Sequence, residues 1–268
     1  MRLFPATIAL LFILLIACSG DDNNSDSDSV KDGDEATVAT ATPVKSDAVQ
    51  PSPTAQSASQ GGESVSFRTV DGAVTVQGRL FSVAGPKQKA VIFLTVATPN
   101  FPADGWDAFA RELVAPGITA VTFALPAYTP NPGGRDVAKL ASDVETAVGF
   151  IKSRDYAQIY VVGELEAGTA ALKVAAKQEL AGVITVSSPA ASENGALDAR
   201  PDLANVQEPK LFFASEDAVS PPAVDVFMSM APDPKLRKVY SGNAKGTHML
   251  TSVDAADFKQ RVRQFLGA

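Results

Sequence analysis

Hydrophobic side chains are spread along this chain in three textures. Residues 1–18 are almost wholly apolar, and residues 19–64 hold hardly any large hydrophobic side chain. From residue 65 onward, apolar and polar positions recur with the periods of strands and helices. In that last part, 66–70 and 74–81 flank Asp71-Gly72 and read as two strands around a turn. Residues 90–96 form a continuous apolar run, the pattern of a strand covered on both faces. In 104–114, Trp106, Phe109, Ala110 and Leu113 share one helical face, with Asp104 placed to cap the start and Gly117 ending the element. A second buried strand follows at 118–124, a Pro/Gly loop at 129–134, and a helix at 136–152 whose Val137, Leu140, Val144, Val148 and Ile151 line one stripe. The remainder reads as strand 159–162, helix 169–177, strands 183–186 and 211–214, helix 222–230 and strand 236–240. Phe258, Val262 and Phe265 mark a closing helix.

Strands alternating with helices after an antiparallel-looking pair predict an α/β fold. Its mostly parallel central sheet has about eight strands, with helices on both faces. No internal repeat is visible. About 200 residues can bury a sizeable core without disulfides or metal.

The apolar N-terminus has a different explanation. Met1-Arg2 is a short positive lead, and 6–17 is apolar over about 12 residues, too short for a membrane span, which needs about 20. The run ends in Leu15-Ile16-Ala17-Cys18, which resembles the bacterial lipobox. The resemblance implies a signal peptide at 1–17, cleavage before Cys18, and acylation of that cysteine. Two or three acyl chains anchor a protein where a single chain does not. An uncleaved anchor, or a plain secretory signal with an incidental cysteine, would export the domain equally. Cys18 is the only cysteine, so no internal disulfide forms.

Composition then separates the tether from the domain. The whole chain carries −7, and nine acids against Lys31 and Lys45 put an equal charge on 19–64. With Arg2 counted in the signal, the rest is close to neutral. Nothing therefore recommends nucleic acid as a partner. Residues 18–64, the lipidated cysteine and a Ser/Asp/Thr/Pro-rich stretch without aromatics, cannot bury enough apolar area to offset ordering entropy, and are expected to act as an extended tether to a domain at 65–268.

The order of elements over roughly 66–268 resembles the α/β-hydrolase fold, most closely small hydrolases of the dienelactone-hydrolase type. The local support is 161–172, Val-Val-Gly-Glu-Leu-Glu-Ala-Gly-Thr-Ala-Ala-Leu, which resembles the strand–elbow–helix carrying G-x-S-x-G in that family. Gly163 falls on the first glycine, and Gly168 fits the close helix approach that follows the motif. Leu165 stands where the resemblance implies a serine nucleophile, and Ala167 where it implies the second glycine. Glu164 and Glu166 beside it read as solvated acids on a degenerate turn. In 214–217, Ala-Ser-Glu-Asp resembles the family's G-x-x-D, which puts Asp217 at the acid position. In 244–248, Ala-Lys-Gly-Thr-His puts Lys245 at the histidine position, with His248, the only histidine, three residues on. His248 reads either as a loop residue or, by a register shift, as an alternative base. The segments 95–99 and 124–128 also depart from the family's loops.

Other chemistry has little footing. One histidine and one cysteine make no zinc cluster, no phosphate-binding glycine loop is present, and no cofactor is expected. Ser187 and Ser188 end a strand without a glycine elbow and read as cap or turn residues. Leucine offers no activatable heteroatom, so no intact catalytic set is expected. The leading expectation is a non-catalytic domain, tethered to membrane lipid through Cys18, that binds a small molecule or protein in a cleft near Leu165, Asp217, Lys245 and His248. A Lys245–Asp217 charge pair is considered there. One alternative is an active serine-type esterase using His248 and Asp217 with a relocated nucleophile such as Ser187 or an elbow acid. The other is a purely structural envelope lipoprotein. On the lipid reading, Cys18→Ala moves the protein from the membrane to the soluble fraction. Unchanged fractionation of that variant refutes lipidation.

Overall fold

The computed structural model describes residues 61–126, 135–217 and 221–268. The signal peptide, Cys18, nearly all of the tether and the Pro/Gly loop at 129–134 lie outside the described residues. Eight strands form one sheet in the order β1-β2-β4-β3-β5-β6-β7-β8. They are β1 Glu63–Arg68, β2 Thr75–Phe81, β3 Lys89–Val96, β4 Thr119–Leu125, β5 Gln158–Glu164, β6 Gly182–Val186, β7 Lys210–Ser215 and β8 Lys235–Tyr240. β1 pairs with β2 and β2 with β4 antiparallel, and every other pairing is parallel. This is the predicted fold class, with the antiparallel strands at the N-terminal edge.

Among the described residues five α-helices cover the sheet: α1 Asp107–Glu112, α2 Leu140–Lys152, α3 Glu166–Ala175, α4 Pro221–Met230 and α5 Ala255–Leu266. One face buries Leu140, Val144 and Val148 of α2, Ala170 and Leu172 of α3, and Phe227 of α4. The other buries Phe109 of α1 and Phe258 and Val262 of α5. β3, β6 and β7 are buried almost end to end, as strands covered on both faces must be. Aromatic stacking tightens the second face. Phe93 stacks on Trp106 at 4.9 Å, and Phe213 meets Phe258 edge-on at 4.6 Å.

Several boundaries differ from the periodicity reading, three of them for a clear local reason. The first strand ends at Arg68, and Val70 is 72 % exposed in the turn. Asp71 Oδ1 accepts from Thr69 Oγ1 and the Ala73 N–H, and the Thr69 N–H donates to Val74 O, so side-chain bonds close the turn two residues early. Asp104 does not cap α1. Its carbonyl accepts the Asp107 N–H in a preceding turn, and Trp106 occupies the cap position without a side-chain bond. α3 begins at Glu166, three residues earlier than predicted, because Gly168 lies inside its first turn. By contrast, Asp136 caps the 3-10 turn Val137–Lys139 ahead of α2, its Oδ1 accepting the Ala138 N–H.

α2 is tied to the β1–β2 turn by charge. Asp143, fully buried, takes Arg135 in a fork, Nε to Oδ2 at 2.6 Å and Nη2 to Oδ1 at 2.7 Å. Arg135 Nη1 also reaches Asp71 Oδ2 at 3.0 Å. Removing one member of a buried pair leaves the other uncompensated. Asp143→Ala is therefore expected to lower the unfolding free energy by about 3–5 kcal/mol in denaturant titration. A loss under about 1 kcal/mol would show that the fork is dispensable.

Candidate functional site at the carboxyl ends of the strands

Open α/β sheets place ligands beyond the carboxyl ends of their strands, where the strand order reverses. Here that reversal lies between β3 and β5, since β3 is followed in sequence by β4 on one side and β5 continues on the other. Leu94 pairs with Gly163, so Thr95 and Glu164 emerge side by side. The next residue, Leu165, sits at φ 49°, ψ −132° between the end of β5 and the start of α3. A leucine at positive φ costs about 1–3 kcal/mol and persists only where its surroundings overdetermine it. They do so here. The Leu165 N–H donates to Val186 O at 2.9 Å, and its carbonyl accepts the Gly168 N–H at 3.0 Å.

Two glycines make this turn fit. A Cβ on Gly163 would lie 2.5 Å from Gly168 N, and a Cβ on Gly168 would lie 2.0 Å from Ser188 Oγ and 2.7 Å from Gly163 O. The glycines thus serve the close strand–helix contact implied by the resemblance. Ala167, at the other motif position, is fully buried. The sharp turn is present with a half-buried leucine at its top.

Glu164 corrects the sequence reading. It is not solvated but fully buried, while Glu166 is half-buried. Glu164 is the last residue of β5, whose final four residues are all buried, whereas Glu166 opens α3. Its Oε1 accepts from Thr95 Oγ1 at 2.7 Å, and its Oε2 accepts from the Thr247 N–H at 2.6 Å. Burial, opposed by these bonds, pushes its pKa from 4.5 up to about 7. Gly246, at φ 50°, covers the carboxyl so closely that a Cβ there would lie 2.1 Å from Oε2. The Gly246 N–H in turn donates to Ser187 Oγ at 3.3 Å, and Ser187 is itself held at φ 56°. Thr247 Oγ1 is buried without a hydrogen bond of its own.

The remaining candidates are not assembled into a relay. Asp217 follows β7, is exposed, and donates its N–H to Gly242 O at 3.0 Å. Lys245 is half-buried just before the 3-10 turn Gly246–Leu250, and its carbonyl accepts the His248 N–H. His248 is exposed, with its ring stacked on Phe101 at 5.0 Å and Nε2 2.8 Å from Asn100 O. A carbonyl only accepts, so Nε2 carries the proton in this arrangement and its lone pair is not presented to a hydroxyl. Among the described residues, no ion pair joins Lys245 to Asp217, and no hydrogen bond joins His248 to Asp217 or to a serine side chain. The charge pair considered from the sequence is therefore not formed. Ser187 is buried and spends its oxygen on Gly246. Among the described residues, no group of three His, Cys, Asp or Glu side chains is arranged to hold a metal.

The Thr95–Glu164–Thr247 cluster was not anticipated from the sequence. Its available signal was a carboxylate at the end of an otherwise apolar strand, the place where strand period still demands burial.

No protein-family model matches the sequence, and no curated protein is similar to it. Solved structures are. The chain is 18% identical to the α/β hydrolase GrgF from Penicillium sp. sh18, with a TM-score of 0.60 over 76% of this chain and 97% of that one. It is 14% identical to an esterase from Pyrococcus furiosus, TM-score 0.61, covering 76% of this chain and 90% of that one. It is 10% identical to a protein of unknown function from Staphylococcus aureus subsp. aureus Mu50, TM-score 0.62, covering 76% and 98%. The domain has the α/β-hydrolase fold. At these identities the likeness concerns the fold alone.

The pKa of Glu164 has a stability consequence of definite sign. The folded state keeps a proton that the unfolded chain releases above pH 4.5, so this group's contribution is full below 4.5 and declines until pH reaches about 7. The decline amounts to about 3 kcal/mol. Denaturant titrations of wild type and Glu164→Gln from pH 4 to 8 are expected to differ by that slope, with the variant flatter. Parallel curves would contradict the raised pKa.

Proposed function

We propose that this chain is an exported lipoprotein whose α/β-hydrolase-fold domain does not hydrolyse, and instead binds a small molecule or a protein at the carboxyl ends of its strands. The observation that carries the reading is the strained backbone of Leu165, a turn built to present a side chain and presenting only hydrocarbon. Acyl transfer needs an attacking heteroatom, a base that can accept its proton, and an acid that orients the base. Leucine cannot attack, the Nε2 of His248 is turned to a carbonyl, and Asp217 bonds through its backbone elsewhere. Loss of one triad member leaves only the residual catalysis of binding and oxyanion stabilisation. Here the nucleophile is absent from its position and the base and acid are not linked.

The tether supports a role at a surface. Acylation at Cys18 would anchor the chain, and a net −6 spread over residues 19–62, ahead of β1, would keep the intervening segment extended by self-repulsion. The domain would then reach ligands or partners at a distance from the lipid. The ligand's chemistry is that of a strand-end site flanked by Leu165, Phe101, Lys245 and His248, an apolar floor with one cation beside it.

Wild type and His248→Ala, incubated with short-chain nitrophenyl esters and with a fluorophosphonate label, are expected to behave alike. Both give ester turnover at the buffer rate and no labelled serine. Turnover that disappears in His248→Ala, or a label on Ser187, overturns the proposal in favour of an active hydrolase with a relocated nucleophile.

A further inference from the structure

Two buried carboxyls in this domain are handled in opposite ways. Asp143 faces Arg135 in a two-pronged ion pair. The influences on Glu164 are burial, Thr95 and Thr247, and no charged side chain is among them. Lys245 and His248 on the late loop, Glu166 on α3 and Asp217 after β7 all lie nearby in sequence or fold, yet none faces the carboxyl. The two hydrogen bonds to Glu164 come from separate segments, the end of β3 and the loop that carries Lys245 and His248. The same loop is held to the strand ends by Gly246 on Ser187 and by His248 on Asn100 and Phe101.

We propose that Glu164 is a proton-controlled latch on the loop Lys245–Leu250: the neutral carboxyl keeps the loop shut over the strand ends, and its ionisation lets the loop lift.

The neutral acid suits the closed arrangement. It needs no counter-charge, and its Oε2 accepts the Thr247 N–H at 2.6 Å. Ionisation leaves a full charge in an apolar interior with two donors and no cation, an arrangement that hydration relieves. Gly246 packs so closely on the carboxyl that a Cβ there would lie 2.1 Å from Oε2, so water reaches the carboxylate only when the loop moves. Opening therefore moves Gly246 and Thr247, with Lys245 and His248 on the same loop, away from Glu164 and Ser187. The sign follows from linkage. The closed form binds the proton more tightly, so closure weakens as pH rises toward neutrality and is constant above it. The inference holds whether or not the domain hydrolyses.

The test is hydrogen exchange of the Gly246 and Thr247 amides in the full chain between pH 5 and 8, as protection factors corrected for intrinsic exchange. Wild-type protection is expected to fall by up to tenfold per pH unit and level off above about pH 7. The fall is expected to persist in His248→Ala, which excludes titration of the imidazole, and to vanish in Glu164→Gln, whose amide mimics the neutral acid. Flat wild-type protection, a slope lost in His248→Ala, or a slope kept in Glu164→Gln overturns the latch. Should Glu164→Gln not fold, Thr95→Val decides. Removing a donor to the carboxylate must move the midpoint to higher pH, and an unmoved midpoint overturns the proposal.

Discussion

The approach of α3 to the end of β5 is the constraint from which the upper half of this domain follows. Gly163 and Gly168 touch backbone to backbone, and neither position has room for a methyl group. With strand and helix this close, the single residue that turns the chain between them has no ordinary conformation open to it. Leu165 is driven to positive φ, and bonds from its own N–H and carbonyl keep it there. The strain is local, on the order of a few kcal/mol at most, and the buried faces of β5 and α3 on either side outweigh it. A turn of this kind is independent of the side chain it presents, so the fold survives with leucine at its top.

The same geometry explains why a carboxylic acid is tolerated in the interior. Glu164 ends a strand whose last four residues are all buried, and its carboxyl lies between Thr95 and Thr247. Thr95, its neighbour across the β3–β5 register, supplies one donor. The backbone of Thr247 supplies the other, provided that Gly246 has no side chain. Charge neutralisation by a cation, the solution used at Asp143, is replaced here by a shifted proton equilibrium. One carboxyl thereby fastens helix α2 to a turn through an ion pair. The other couples a loop to the state of a proton.

These arrangements bear directly on function. The strand ends, the reversal of strand order and the sharp turn are all present, the features that make this fold a scaffold for ligand sites. The chemistry at those places is what differs. Leucine tops the turn, and the histidine ring lies on Phe101 with its Nε2 against a backbone carbonyl. The aspartate after β7 is exposed with no bond to that ring. Binding on such a scaffold draws on shape and burial, while acyl transfer needs three groups in line, so the two demands are separable.

Periodicity in the amino-acid sequence was sufficient for the strands, the helices on both faces and the antiparallel edge, because the hydrophobic pattern records which faces are buried. The turn at Leu165 was marked by the resemblance of 161–172 to the family's G-x-S-x-G segment, and its glycines sit where backbones touch. The tertiary structure alone decided what the polar residues do. Val70 is exposed because Thr69 and Asp71 close a turn, and Asp104 fails to cap because the chain turns once more before α1. Glu164 is buried because its partners come from Thr95, distant by 69 residues, and from Thr247, distant by 83. Hydrophobic burial is a property of a segment and its period, whereas a hydrogen bond or an ion pair is a property of two places that only folding brings together.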